Sequence, residues 1–210
     1  MTEVRALPDP GVIVLNGPFR LTRPLLRRLS EAHILATDGA ANRLLRRGIR
    51  PVAAIGDFDS SPPPENLRTL AFPPEKDATD GELALREALL QGWSPLLVVG
   101  AFGGRYDMAL SHIALLRRAR EAGVDASLTD GRTEALLVRH RTEPAGSAGD
   151  TVSVIPLTPE ARLVSSGLKW PLDGLSLGWS AARGVSNRVV QDGAWVRILQ
   201  GQALLVRPLA

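Results

Sequence analysis

"PLLVVGAFGGRYDMALSHIALLRRAREAG", residues 95–123, passes from an apolar run through paired glycines into a long amphipathic run. Residues 95–104 read as a buried strand entering a glycine-rich turn, because consecutive aliphatic residues leave no polar face. Residues 106–123 read as a helix. The same step recurs upstream. "GVIVLNGP" (11–18) is an apolar strand closed by a turn, and "TRPLLRRLSEA" (22–32) a helix with Thr22 as cap and Pro24 near its first turn. "HILATDG" is a second strand, and "AANRLLRRG" a short helix stopped by Gly48. "PVAAIGDFDS" is a third strand with its loop. "SPPPENL" excludes regular structure, because adjacent prolines remove donors and fix φ. Residues 77–92 form another helix. Strands alternating with helices predict a mostly parallel sheet covered on both faces.

The texture changes near residue 125. Short runs follow, separated by turn signals: "TEALLVRH", "TVSVIPL", "ARLVSS", "NRVVQ", "AWVRILQ" and "ALLVRPL". Asp192-Gly193 and Gln200-Gly201 read as hairpin turns. The expectation is an α/β N-terminal domain over residues 1–125 and an all-β C-terminal sandwich over 126–210.

Composition narrows the function. The 210 residues suffice for a real core, and 44% hydrophobic with 22% charged residues is ordinary for a globular chain. No apolar run reaches the roughly 18 residues needed to cross a bilayer. The N-terminus lacks a secretory pattern, and there is no cysteine, which removes disulfides and thiolate chemistry. The expected location is cytoplasmic, with no membrane partner. The net charge of +3 comes from arginines dispersed over helix faces, with aromatics at only 4%. A nucleic-acid protein gathers its charge into a stripe with interleaved aromatics, so no nucleic-acid partner is expected.

Ligands of open parallel sheets bind outside the carboxyl ends of the strands. Polar groups cluster there: Asn16-Gly17 after the first strand, Asp38-Gly39 after the second, Asp57 and Asp59 after the third, and Gly103-Gly104-Arg105 with Asp107 after the fourth. Asp57 and Asp59 either decorate an Asx-type turn or hold a hard cation such as Mg²⁺. In "KDATDGE" (76–82), Thr79 and Glu82 have capping-box spacing, and Asp77 and Asp80 fall in the expected first turn. Lys76 suits a neighbouring phosphate, and Asp80 a third metal carboxylate. The glycines before Arg105 let backbone N–H groups approach an anion, and its guanidinium matches phosphate. No phosphate loop of the G-x-x-x-x-G-K-[ST] type occurs. Ser186 and Asn187 are small polar groups at a strand start. His33, His112 and His140 are too scattered for a site, and His112 reads as packing or surface.

Taken together, "VLNGP", "ATDGAANRL", "AIGDFDSSP", "KDATDGELAL", "GAFGGRYD", "GLKWPL" and "RGVSN" resemble the thiamine pyrophosphokinase family, over roughly residues 12 to 200 and in the family's order. The resemblance implies transfer of a pyrophosphoryl group from ATP to thiamine, an α/β domain followed by a β-sandwich, and a homodimer whose active site lies at the subunit interface. It implies Mg²⁺ on Asp57, Asp59 and Asp80, and catalytic roles for the same three. Asn16, Asp38, Asn42, Lys76, Asp77, Thr79, Arg105 and Asp107 fall in segments that bind ATP, and Ser186 and Asn187 match the thiamine-contacting pair. Met108 stands where histidine is frequent. Trp179 stands where a smaller residue is expected, and it either stacks on the thiamine ring or fills the core. A pyrophosphokinase acting on a pterin alcohol and a non-catalytic nucleotide or thiamine binder are the alternatives.

Overall fold

The computed structural model describes residues 9–59, 62–73, 75, 77–144 and 147–209. Its contacts divide the chain into two units, Met1–Gly131 and Arg132–Ala210.

Unit 1 holds strands β1 (Gly11–Val14), β2 (His33–Thr37), β3 (Ala53–Gly56), β4 (Thr69–Ala71), β5 (Leu96–Val99) and β6 (Ala126–Thr129). They lie parallel in the order β4-β3-β2-β1-β5-β6. The expected parallel sheet is therefore present, and every residue of β1, β3 and β5 is buried, as both covered faces require. The chain winds outward from β1 to β4, then returns to place β5 on the other side of β1. Gly11 pairs with Leu96 and Val14 with Val99, so β1 and β5 end level and their turns emerge side by side.

Neither β4 nor β6 is expected from the sequence. β4 is a three-residue, half-exposed edge strand without an apolar run. β6, "ASLT", carries a weak signal but runs parallel to β5, and so belongs to unit 1. The division thus falls between Gly131 and Arg132 instead of after residue 125.

Among the described residues, four helices complete this unit. In α1 (Arg23–Ser30) the Thr22 hydroxyl accepts from the Leu25 N–H at 3.4 Å. The second is α2 (Gly39–Leu45). α3 (Asp80–Leu90) opens on a full capping box: the Thr79 hydroxyl accepts from the Glu82 N–H at 3.2 Å, and the Glu82 carboxylate accepts from the Thr79 N–H at 2.8 Å. This starts α3 three residues later than the sequence suggests and leaves Asp77 ahead of the cap, outside the first turn. α4 (Tyr106–Glu121) buries His112, Leu115, Leu116 and Ala119, a single stripe at helical spacing. α3 packs on α4 and over β1, β2 and β3, while α4 covers β6.

Among the described residues no helix follows α4. Unit 2 has β7 (Thr133–Leu137), β8 (Thr151–Pro156), β9 (Glu160–Ser166), β10 (Ser176–Gly178), β11 (Asn187–Arg188), β12 (Trp195–Gln200) and β13 (Ala203–Pro208). All the pairings within it are antiparallel, in one set ordered β11-β8-β13-β7 and another ordered β10-β9-β12. The two sets share one cluster that includes Val154, Leu163, Leu177, Val196 and Leu205. Each such side chain contributes about 1.5–3 kcal/mol by leaving water.

The two expected hairpins are not formed. β12 pairs with β9 and β13 with β7 and β8, so Gln200-Gly201 carries the chain from one sheet to the other. A Cβ at Gly201 would collide with the Glu160 carbonyl, and its φ is +74°. Asp192-Gly193 likewise joins strands of different sheets, because β11 pairs with β8. A glycine turn signals a reversal; which strand lies alongside is set by the shared core.

Candidate active site

The strand order reverses between β1 and β5, and there a cleft of about 430 Å³ opens. Its walls come from Asn16, Gly17 and Pro18 after β1, from Thr37 and Asp38 at the end of β2, from Asp80 and Gly81 at the start of α3, from the turn Gly100–Arg105, and from Met108, Ala109 and His112 of α4.

The two central turns touch. A Cβ at Gly17 would collide with the Gly100 carbonyl, and Gly100 has a φ of +76° that only glycine adopts freely. Arg43 of α2 holds the first turn from behind. Its Nη2 donates to the carbonyls of Leu15 at 3.1 Å and Gly17 at 2.9 Å, and its guanidinium lies 4.7 Å from the centre of the Phe19 ring. Burial, then the charges of Arg47 and Arg46, lower its pKa. Its Nε has no hydrogen-bond partner among the described residues.

Asp38 is the centre of the acidic set. Its pKa is raised from 3.8 to about 7, first by burial, then by the hydrogen bond it shares with Asp80 and the charges of Asp80 and Asp57. The Phe58 N–H opposes this by donating to the carboxylate. The Asp38 Oδ1 is buried without a hydrogen-bond partner among the described residues, and the residue's φ of 41° is rare for one with a side chain. Gly56 is required beside it, since a Cβ there would collide with Oδ1. Asp57 adopts the Asx-type turn: its Oδ1 accepts from the Asp59 N–H at 3.2 Å. Asp59 itself is exposed. The structure therefore brings Asp57 and Asp80 near Asp38 and leaves Asp59 exposed, outside the cleft lining. Among the described residues, no three His, Cys, Asp or Glu side chains already converge as a metal-ligand set.

The other expected residues divide. Asn16 and Arg105 line the cleft. Arg105 is held by Asp107 through Nε–Oδ1 at 3.1 Å and Nη2–Oδ2 at 2.5 Å, and both side chains are exposed. That pairing lowers the Asp107 pKa. Thr79 is occupied as the helix cap, and Asp77 is exposed. Asn42 donates to the Pro62 carbonyl at 3.0 Å and does not line the cleft, so it ties α2 to the chain beyond the aspartate loop. Lys76 lies outside the described residues.

In unit 2, Ser186 is exposed with a φ of 58°. Asn187 is buried, and its amide is committed internally: Nδ2 donates to the Trp170 carbonyl at 2.6 Å, while Oδ1 accepts from the N–H groups of Trp170 at 3.2 Å and Arg188 at 2.8 Å. Trp179 is 74% exposed, which removes the core-filling alternative.

Two residues of the site escape the sequence reading. His112 is buried on the α4 stripe, and its Nδ1 sits 2.9 Å from the Ala101 carbonyl, which only accepts. Nδ1 therefore donates, and Nε2 is the nitrogen left for the cleft. The 112-115-116-119 spacing is the signal that would have placed it on the inner face. For Arg43 no local signal exists, since an arginine on a short helix ordinarily reads as solvated.

Comparison with known proteins agrees with this division. The thiamin pyrophosphokinase catalytic domain profile matches residues 26–128, and the thiamin pyrophosphokinase vitamin B1 binding domain profile matches residues 138–202. The thiamine pyrophosphokinase of Bacillus subtilis (strain 168) is 28% identical over 212 residues, covering 93% of this chain and 96% of its own. Thiamin pyrophosphokinase 1 of Caenorhabditis elegans is 27% identical over 185 residues, covering 78% and 74%. The crystal structure of thiamine pyrophosphokinase from Bacillus subtilis superposes with a TM-score of 0.83 at 25% identity, covering 96% of this chain and 100% of that one. That of thiamin pyrophosphokinase from Geobacillus thermodenitrificans gives 0.77 at 27% identity, covering 94% and 96%. Two profiles of one family cover most of both units in chain order, and the chain belongs to the thiamine pyrophosphokinase family.

Proposed function

We propose that this enzyme transfers a pyrophosphoryl group from ATP to the hydroxyethyl group of thiamine, giving thiamine diphosphate and AMP. The observation that carries the reading is the cleft at the sheet's reversal point, where an acidic set faces a glycine-rich turn that ends in an arginine. A cleft of that size suits a nucleotide. The vitamin B1 binding profile over unit 2 favours thiamine over a pterin alcohol as acceptor, and speaks against a nucleotide binder alone. We read unit 2 as the β-sandwich that presents Trp179 and Ser186 to thiamine, with Asn187 fixing the Trp170 loop. We further propose a homodimer and a cytoplasmic location. Among the described residues no helix is long and apolar enough to cross a membrane.

A divalent cation fits the residues present. Burial first, then the neighbouring carboxylates, raises Asp38, and a positive charge placed among these groups would give its orphaned Oδ1 a partner and offset the repulsion. We assign that cation as Mg²⁺, held by Asp57 and Asp80 with Asp59 from the same loop and Asp38 beside them. When bound, it supplies positive charge to the phosphate oxygens. Phosphoryl transfer otherwise asks the protein for positioning and electrostatics. The thiamine hydroxyl oxygen bonds to the β-phosphorus, the bond from that phosphorus to the α-bridging oxygen breaks, and AMP leaves with the electron pair. Asp80 lines the cleft and the neighbouring Asp77 does not, which favours Asp80 as the carboxylate that takes the hydroxyl proton. Arg105 exchanges its exposed Asp107 partner for a phosphate, since exposed ion pairs are weak. The Nε2 of His112 faces the bound nucleotide.

The test is AMP release from ATP, with thiamine against other alcohols. Asp57→Asn, Asp59→Asn and Asp80→Asn should each lower turnover by about a hundredfold or more, on the scale of lost electrostatic stabilisation, while the melting temperature stays near the native value. Activity within a few-fold of native in these variants would overturn the assignment.

A further inference from the structure

We propose that unit 2 carries a second anion site, of the phosphate class, in the cleft formed by His140, Arg141, Trp195 and Arg197. This cleft has a volume of about 210 Å³, and among the described residues no carboxylate lines it. The guanidinium of Arg141 lies 5.4 Å from the centre of the Trp195 ring and that of Arg197 lies 5.9 Å from it. Two cations and a histidine therefore surround one indole.

The backbone beneath them is fixed. Thr142 and Val196 exchange N–H···O bonds of 2.9 and 2.8 Å, and Ile198 donates to the Arg139 carbonyl at 3.1 Å. The Thr142 hydroxyl accepts from the Arg139 N–H at 2.9 Å. Arg141 is thus carried on a turn pinned on both sides, and Trp195 and Arg197 alternate onto one face of β12.

The partners of neighbouring arginines sharpen the contrast. Arg162 is satisfied by Glu160 at 2.9 Å and Arg207 by Glu134 at 3.0 Å. Arg197 has no carboxylate partner among the described residues. Arg141 has only Glu143 at 3.4 Å, both largely exposed, a weak pairing. Attraction to the indole face alone would hold either guanidinium. Gathering both beside His140, with no described carboxylate lining the cleft, leaves N–H donors in the fork geometry that suits phosphate oxygens. The volume lies below the ~300 Å³ at which whole small-molecule sites begin. What enters is one phosphate or diphosphate group, either free or as the tail of a larger molecule.

The experiment titrates inorganic pyrophosphate into the intact protein at constant ionic strength, read by calorimetry and tryptophan fluorescence. The native chain should bind one pyrophosphate more than Arg141→Gln/Arg197→Gln, or bind it at least tenfold more tightly at that site. Trp195→Phe should lose the fluorescence change while remaining folded by circular dichroism. Binding in the unit 1 cleft is unaffected, because none of these residues lines it. Thiamine diphosphate and ATP form two further arms: tighter binding than pyrophosphate assigns the site to the tail of a larger molecule, and equal binding assigns it to the free anion. Identical stoichiometry and affinity in native and doubly substituted proteins, or binding that chloride competes away equally in both, would overturn the proposal.

Discussion

Asp38 looks in the sequence like one polar residue at a strand end, yet its surroundings push its carboxyl well above the ordinary range. Burial and the neighbouring Asp80 and Asp57 raise it from 3.8 to about 7. Between those values the folded chain keeps a proton that the unfolded chain releases, so this residue's contribution to stability is present at low pH and is lost as pH rises toward 7. In chelator, the native protein should therefore lose more melting temperature between pH 4.5 and 7.5 than Asp38→Asn does, and added Mg²⁺ should restore part of it at pH 7.5. Equal pH profiles for the two proteins would show that Asp38 is not coupled to folding. At this scale the sequence was legible in kind and less so in arrangement. It pointed to carboxylates at strand ends, Asp38 among them, but not to Asp38 as the partner of Asp80 and Asp57, because no spacing rule reports which aspartates of separate loops meet.

The elements around the cleft are set locally, and their placement is not. Thr79 and Glu82 announce the start of α3, and the capping box forms. Thr79→Ala should cost about 1 kcal/mol, read as a lower denaturant midpoint with unchanged m-value. Arg43 acts through an element instead of through the ligand, by holding the turn after β1. Arg43→Met leaves the Leu15 and Gly17 carbonyls without their donor and should raise KM for ATP several-fold with kcat largely kept, while Arg43→Lys should recover part of the loss. A fall in kcat with unchanged KM would instead place Arg43 at the reacting atoms. The hairpin signals at Asp192-Gly193 and Gln200-Gly201 failed at this scale for a related reason. Glycine permits the turn, but the partner strand is selected by which apolar face completes the shared cluster.

For the whole molecule, the catalytic profile falls on unit 1 and the vitamin B1 binding profile on unit 2. If two copies complete each other's sites, a mixture of Asp80→Asn and Trp179→Ala chains, each inactive alone, should regain turnover after subunit exchange, because one site in each mixed dimer is built from native halves. If each copy completes its own site, the mixture stays as inactive as its components. Light scattering on the native protein gives the assembly directly.

The amino-acid order alone determined the alternation of strand and helix in unit 1, the change to short strands beyond it, and the polar turns that close the apolar runs. Those are local matters of hydrophobic period, caps and glycine, and a linear chain records them. Tertiary structure decided the rest: that β6 belongs with β5, that Asp38 and Asp80 share a hydrogen bond, that His112 faces the cleft, and that an arginine on α2 supports a turn after β1. Each of these joins residues far apart in the chain, and such contacts follow from how covered faces and buried polar groups are satisfied together, which no short stretch encodes by itself.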